Sequence, residues 1–204
     1  MTSRRLLALG AIAVLTGAAC SPPAGTPTTA PPTSAASTTP SPAETPPEET
    51  TAPTVPAPDP ADFPGKDEHT EEGAKQAVRY YWAMLVWGYE TGDTEILQGL
   101  HLETCGNCVD NLESIGYAKD HDKLWSDASI TDEDVYIGEP GEYETVVQYV
   151  FIVGAHDEPD YDSSDVNAKP DTRYFTANGM TWRDDRWLME GSAIEIETVD
   201  DSAE

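Results

Sequence analysis

The chain has 204 residues, of which 38 are Asp or Glu and 11 are Lys or Arg, so its formal net charge is −27 at pH 7. A surface this negative repels phosphate backbones and anionic lipid headgroups. The composition therefore excludes nucleic acid as a partner and is typical of a solvated, aggregation-resistant surface.

The N-terminus has the composition of an export signal. Arg4 and Arg5 precede an uncharged apolar run from Leu6 to Ala19, which is shorter than the roughly 20 residues that a membrane span needs. A basic start, a short apolar centre and small residues before the cut predict a secretory signal peptide over residues 1–19. The letters LTGAAC resemble a bacterial lipobox, in which the final cysteine, here Cys20, becomes lipidated. We expect this lipid to hold the chain at the extracytoplasmic face of the cell membrane.

Residues 20–62 are predicted to form a disordered tether rich in Pro, Thr, Ser and Ala. Fourteen of the 17 prolines lie before residue 65, whereas all 17 aromatic residues lie at or after Phe63. Such a stretch has no apolar face to bury. Extended at about 3.1 Å per residue, its roughly 40 residues would reach on the order of 100 Å. A globular domain is therefore predicted over 63–197, followed by an acidic C-terminal tail over 198–204.

Three helices are predicted in the first half of the domain. Thr70 precedes two glutamates, which is the pattern of a hydroxyl cap followed by acids at the positive end of a helix dipole. Apolar residues then recur at helical spacing until Gly92, a candidate C-cap. A second, short helix is predicted in DTEILQGLHL with Asp93 as its cap. The third begins in TCGNCVDNLESI with Thr104 as its cap.

After Trp125 the apolar residues alternate with a period of two, as expected for strands. ASITDEDVYIG predicts a first strand, and YETVVQYVFIVG predicts a central strand that is apolar on both faces. TRYFTANGMTW and RWLMEGSAIEIE predict a last hairpin around Asp184 and Asp185. The segment over 157–171 is predicted to be an acidic, solvated loop. This order predicts an α+β fold, with N-terminal helices packed on a curved antiparallel sheet.

The helical stretch carries a resemblance to a known family. The core motif of an actinobacterial lipoprotein family of unknown function is similar to the stretch EEGAKQAVRYYWAMLVWGYETGDTEILQGLHLETCGNCVDNLESI. The lipobox and the Pro/Thr-rich tether also agree with that family. Helices on a curved sheet also resemble the nuclear-transport-factor-like cone, which is shared by steroid-isomerase-like enzymes and many noncatalytic domains. The resemblance implies a location and a fold, and it implies no particular chemistry.

The letters CGNC place Cys105 and Cys108 at a spacing used by redox centres, zinc sites and disulfides. A redox site would follow a buried strand of a βαβ unit, whereas a short helix is predicted before this motif. His101 and His121 could complete a zinc site with the two cysteines. However, once Cys20 is acylated, the other two cysteines remain as a pair that is expected to be oxidised outside the cytoplasm. We therefore predict a Cys105–Cys108 disulfide and neither a metal nor another cofactor.

The acidic segment is a weaker candidate for a calcium site. Its oxygen-bearing residues lie at offsets similar to those of an EF-hand loop, and they are Asp160, Asp162, Ser164 and Asp171. Asp165, however, occupies the position where that loop requires glycine, and no helices are predicted on either side. A solvated loop is therefore favoured.

The cone resemblance raises the question of catalysis. Steroid-isomerase-like enzymes use an Asp or a His–Asp pair inside the cone, so His101, Asp120 and His121 are the candidates in this chain. Five large aromatic residues are expected in the core rather than around a ligand; they are Tyr80, Trp82, Trp87, Trp182 and Trp187.

No catalytic residues are predicted. We expect a noncatalytic, lipid-anchored cell-surface protein whose acidic domain binds a protein or small apolar ligand of the cell envelope; the alternative is a pocket enzyme of the steroid-isomerase or dehydratase type.

Overall fold

The computed structural model describes residues 55–139 and 141–199. The predicted signal peptide, Cys20, most of the tether and the end of the acidic tail lie outside these residues. The described elements are two α-helices, α1 (Glu71–Thr91) and α2 (Gly106–Asp120), and six strands, β1 (Ile130–Ile137), β2 (Thr145–Val153), β3 (His156–Pro159), β4 (Val166–Lys169), β5 (Thr172–Arg183) and β6 (Arg186–Thr198). Single 3-10 turns lie at Pro60–Asp62 and Leu97–Gly99.

The main sheet has four antiparallel strands in the order β1-β2-β5-β6. Strand β2 is central, as predicted, and every second residue from Val147 to Val153 is buried against α1. Strands β5 and β6 join at Asp184 and Asp185, whose φ angles of 51° and 59° are those of a tight hairpin turn. The predicted α+β fold with helices on an antiparallel sheet is confirmed.

Helix α1 begins and ends where the sequence predicts. The hydroxyl of Thr70 accepts a hydrogen bond of 3.0 Å from the Gly73 amide, and Gly92 has the left-handed φ of 71° that ends many helices. Its apolar positions face the sheet, so more than half of the helix is buried. Helix α1 is therefore the central element of the core.

The segment between the helices differs from the prediction. The second helix is only a 3-10 turn, although the Asp93 carboxylate does accept a hydrogen bond from the Glu95 amide. Beyond this turn, the backbone of Leu100 and Leu102 bonds to Met189 of β6. This pairing with the sheet edge requires extended backbone and so stops a helix. Thr104 is consequently not the cap of α2, because Cys105 occupies that position without a side-chain hydrogen bond.

The acidic segment over 157–171 is mostly exposed, as predicted, but it forms a hairpin and not an irregular loop. Strands β3 and β4 pair from His156–Lys169 to Pro159–Val166. The carboxylate of Asp160 accepts 2.9 Å hydrogen bonds from the amides of Asp162 and Ser163, forming the turn that joins the strands. The short strands lack the apolar alternation from which the sequence would have predicted them.

The structure also describes contacts made by the chain before residue 63, the predicted start of the domain. The indole of Trp87 on α1 donates a 3.0 Å hydrogen bond to the carbonyl of Val55. Val55 and Phe63 both pack against the buried core. Val55, which the sequence places in the tether, therefore lies against the domain, because its carbonyl and its side chain have partners there.

Candidate functional site

A cavity of about 210 Å³ lies between α1 and the inner face of the sheet. Helix α1 supplies one wall, strands β2, β5 and β6 supply the opposite wall, and the β3–β4 hairpin and α2 contribute at the sides. The lining residues are Trp82, Leu85, Val86, Tyr89, Asn111, Trp125, Phe151, Val153, Glu158, Tyr174 and Ile194. The site is thus a mostly apolar pocket with a few polar groups, the usual composition of a small-molecule site.

Five aromatic rings dominate this cavity and contact one another in two groups. The rings of Tyr89 and Trp125 stack with their centroids 4.4 Å apart. Phe151 stacks on Tyr174 at 5.1 Å and lies 5.1 Å from Trp82. Offset and tilted packing at these distances is favourable and fixes the ring planes. The cavity walls are therefore preformed by aromatic side chains held against each other.

A buried hydrogen-bond network fixes the indole of Trp82 from behind. Trp82 Nε1 donates to Asn178 Oδ1 at 3.1 Å. The amide nitrogen of Asn178 donates in turn to the Val147 carbonyl and to the Thr176 hydroxyl, and Thr176 donates to the Tyr149 carbonyl. These polar groups lie within the core and have partners, so they orient one wall of the cavity.

The carboxylate in the cavity wall belongs to Glu158 on the β3–β4 hairpin. One oxygen lies 3.2 Å from Lys169 Nζ, and the other lies 3.2 Å from His156 Nε2. The side chain of Glu158 is only 25% exposed, whereas that of Lys169 is 42% exposed. Glu158 therefore lines the cavity, whereas the more exposed Lys169 is its ion-pair partner outside the lining.

The tyrosines around the cavity keep their protons at neutral pH. Burial raises the pKa of Tyr89, whose hydroxyl donates to Asn111 Oδ1 at 3.1 Å. Burial and, to a lesser extent, the negative charge of Glu158 raise the pKa of Tyr174. Both hydroxyls therefore carry no charge, and that of Tyr89 acts as a hydrogen-bond donor.

The residues predicted as catalytic candidates lie elsewhere. His101 is half-buried beside β6, with Nδ1 3.1 Å from the Leu102 carbonyl. Asp120 and His121 lie at the exposed end of α2, where the imidazole stacks on Tyr117 with ring centroids 3.9 Å apart. As far as the described residues define its lining, the cavity includes none of the three.

The candidate metal ligands do not converge either. Across residues 55–139 and 141–199, no group of three or more His, Cys, Asp and Glu side chains is arranged to hold a metal ion. In the EF-hand-like segment, the Asp160 carboxylate binds backbone amides of its own turn, and the Asp171 carboxylate accepts from the Ala155 amide. These oxygens are thus used to form the hairpin and its base.

Cys105 and Cys108 lie at disulfide distance, with Cα atoms 5.3 Å apart, and both side chains are buried. Their position at the start of α2 agrees with the predicted staple between this helix and the preceding segment. Bridging so short a loop removes little entropy from the unfolded chain, which corresponds to about 2 kcal/mol in the chain-entropy model.

Removal of this bridge is expected to lower the free energy of unfolding by about 2 kcal/mol. Urea unfolding with and without dithiothreitol checks the value on the wild type and on the double variant Cys105→Ala, Cys108→Ala. The reductant should destabilise the wild type and leave the variant unchanged. A wild-type curve that does not respond to the reductant would contradict the staple.

The aromatic residues selected from the sequence are mainly core residues, as predicted. Tyr80, Trp87 and Trp187 are buried, and Trp82 is both buried and part of the cavity wall. The set of five did not include Tyr89, although it lies seven residues after Trp82 and therefore on the same helix face. The contributions of the sheet and of Glu158 depend on strand pairing, which no local pattern reveals.

The fold and the cavity define a small α+β domain with an aromatic-lined pocket. Residues 42–193 match the model of DUF6318, a family of unknown function, and the chain belongs to that family. A comparison with curated proteins finds no match. Among the described helices, none is both long and apolar enough to cross a membrane.

Proposed function

We propose that this is a noncatalytic, lipid-anchored cell-surface protein whose domain, a nuclear-transport-factor-like cone, binds a small ligand in the cavity under α1. The cavity carries this proposal. It lies in the core between a helix and the inner face of a sheet, and its walls are apolar with a few polar groups at defined positions.

The size of the cavity limits the ligand. At about 210 Å³ it is smaller than the sites of roughly 300–1,000 Å³ that hold drug-sized molecules. The rings that line it already pack against one another, so a ligand would meet a preformed surface. The expected ligand is therefore a small molecule or the small terminal group of a larger one.

The sequence supports the location. A lipidated Cys20 followed by a Pro-rich tether would hold the domain away from the membrane, where a small molecule of the cell envelope can reach the cavity. An oxidised Cys105–Cys108 pair agrees with this location, because disulfides persist outside the cytoplasm.

Cys20→Ser should release the protein from the membrane fraction into the medium when the full chain is expressed in a bacterium that processes lipoproteins. The substitution removes the thiol that accepts the lipid and leaves the export signal in place. Immunoblots of the membrane and medium fractions check the expectation, with Cys108→Ala as a matched control that should stay with the membrane. A Cys20→Ser protein that remains in the membrane fraction would contradict the lipid anchor.

The released protein also tests ligand binding. We expect its native mass to exceed its denatured mass by the mass of a small bound molecule. Equal masses in protein taken directly from the medium would count against a cavity occupied in the cell envelope.

A further inference from the structure

We infer that the cavity selects a small organic cation, namely an alkylated ammonium group held between aromatic rings and the carboxylate of Glu158. This inference rests on the proposed ligand-binding function and specifies the chemistry of the ligand. The carboxylate of Glu158 distinguishes this cavity from one that is lined only by apolar groups.

The aromatic rings provide the first part of the argument. The face of an aromatic ring carries partial negative charge and attracts cations, and several rings around one space form the usual site for methylated ammonium groups. Here five rings line one cavity from different sides, with Trp82 and Tyr89 on the helix wall and Phe151 and Tyr174 on the sheet wall. Trp125 stacks on Tyr89 and completes the helix side.

The carboxylate provides the second part. Glu158 lines the same cavity as Tyr89 and Tyr174. Burial together with its negative charge raises the pKa of Tyr161 and of Tyr174. Burial, and to a smaller extent this same charge, also raises the pKa of Tyr89. The negative potential of Glu158 therefore reaches groups on both the helix and the sheet walls, and it favours a cation in the space between them.

One of the present partners of Glu158 is a cation, so the carboxylate already attracts positive charge. Lys169 Nζ lies 3.2 Å from one carboxylate oxygen and His156 Nε2 lies 3.2 Å from the other. Lys169 is nearly half exposed, so this ion pair is screened by water and contributes little. A ligand ammonium inside the aromatic cavity can therefore compete with the Lys169 ammonium for the carboxylate of Glu158.

The charge of the domain together with its acidic tail acts in the same direction. Residues 63–204 contain 33 Asp and Glu against 9 Lys and Arg. The resulting field repels anions and raises the local concentration of cations at the surface. This long-range effect does not define the site, but it assists entry of a positively charged ligand and opposes entry of an anionic one.

A matched pair of probes separates charge from shape. Choline is titrated against the purified full chain, and dimethylbutanol, in which carbon replaces the ammonium nitrogen, serves as its uncharged isostere. Indole fluorescence follows the binding because Trp82 and Trp125 line the cavity. We expect choline to bind saturably and at least about fivefold more tightly than dimethylbutanol, a preference that is typical of cation–π recognition.

Two variants test the role of the carboxylate with opposite expected signs. Glu158→Gln keeps the shape and should weaken choline binding about fivefold or more, with little effect on dimethylbutanol. Lys169→Met removes the competing ammonium and should tighten choline binding severalfold. Glu195→Gln is the control for net charge, because Glu195 pairs with Phe175 on the other face of the sheet from Tyr174; it should leave choline binding unchanged.

Each alternative outcome identifies what fails. Equal affinity for the two probes, unaffected by Glu158→Gln, would overturn the cation inference and leave the proposed function with an apolar ligand. Binding of neither probe, in protein whose circular dichroism shows a native fold, would overturn the inference and also remove the support of the cavity for the proposed function. Equal weakening by Glu158→Gln and Glu195→Gln would overturn the assignment of Glu158, because only general charge would then matter.

Discussion

Gly73→Ala is expected to lower the free energy of unfolding by about 3 kcal/mol or more. A β-carbon at this position would lie 2.1 Å from the carbonyl oxygen of Glu68 and 2.7 Å from that of Gly65. Both are backbone atoms, so no side-chain rotation can relieve the contact. The backbone of the turn before α1 would have to move.

Movement of this turn would disturb contacts beyond α1. The Glu68 carbonyl accepts a 2.8 Å hydrogen bond from the indole of Trp187, which is buried on β6. Gly65 adopts a left-handed φ of 83°, a conformation that restricts how the turn can rearrange. The cost of the added methyl group therefore includes weakened packing between the turn, α1 and the sheet.

Gly116→Ala provides the matched control. Gly116 lies inside α2, and a β-carbon added there would meet nothing within 4 Å. Because glycine weakens a helix interior, this change should raise the free energy of unfolding by roughly 0.5–1 kcal/mol. Urea unfolding of both variants checks the contrast, and equal effects at the two glycines would show that the turn yields easily to the added methyl group.

Features that depend on local chemistry could be predicted from the sequence. The cap at Thr70 and the stop at Gly92 follow from neighbouring residues, because a hydroxyl binds an amide three residues later and glycine accepts a left-handed φ. The hairpin turn at Asp184 and Asp185 could also be predicted from the sequence, because the apolar alternation on both sides leaves only these two residues for the bend.

Features that depend on distant partners could not be predicted. The segment after Leu97 has helical periodicity, but its pairing with Met189 of β6 makes it extended. Pairing between β3 and β4 involves residues without apolar alternation, and their turn depends on the Asp160 carboxylate. In both cases tertiary hydrogen bonds override a weak local preference.

The candidate site shows the same division. Trp82 and Tyr89 share a helix face that the sequence period reveals, whereas Phe151 and Tyr174 come together only through the register of β2 and β5. Glu158 reaches the cavity because of the hairpin that the sequence did not predict. Sequence periodicity could therefore identify one wall of the site but could not assemble the cavity.

Asn178→Asp is expected to lower the free energy of unfolding by about 3 kcal/mol at pH 7. Asn178 is fully buried, and its amide nitrogen donates to the Val147 carbonyl and the Thr176 hydroxyl. An introduced carboxylate has the same shape but no hydrogen to donate, so it would place a buried negative charge against a carbonyl oxygen. Its acceptor role toward Trp82 remains and offsets only part of this cost.

The loss of unfolding free energy in Asn178→Asp should depend on pH, and the burial of the introduced carboxyl determines the direction of this dependence. Burial disfavours the charged form and raises the pKa of the introduced carboxyl above its unfolded value of about 3.9. The variant should therefore be closest to the wild type below that unfolded pKa, where the carboxyl is protonated and can donate to Val147. The deficit should grow as the pH rises through the folded pKa.

Asn178→Ala separates the charge from the lost hydrogen bonds. It leaves Trp82 Nε1 and the Val147 carbonyl without the partners that Asn178 provides, and so it should also be destabilised. Because alanine does not titrate, its deficit relative to the wild type should remain nearly constant between pH 4 and pH 8, values chosen to bracket the carboxyl titration. Urea unfolding of the three proteins at each pH checks this difference, since titration of the other acidic groups is common to all of them.

A constant deficit for Asn178→Asp would mean that the network behind the cavity admits water. The indole of Trp82 would then lack the rigid support that a preformed aromatic wall requires.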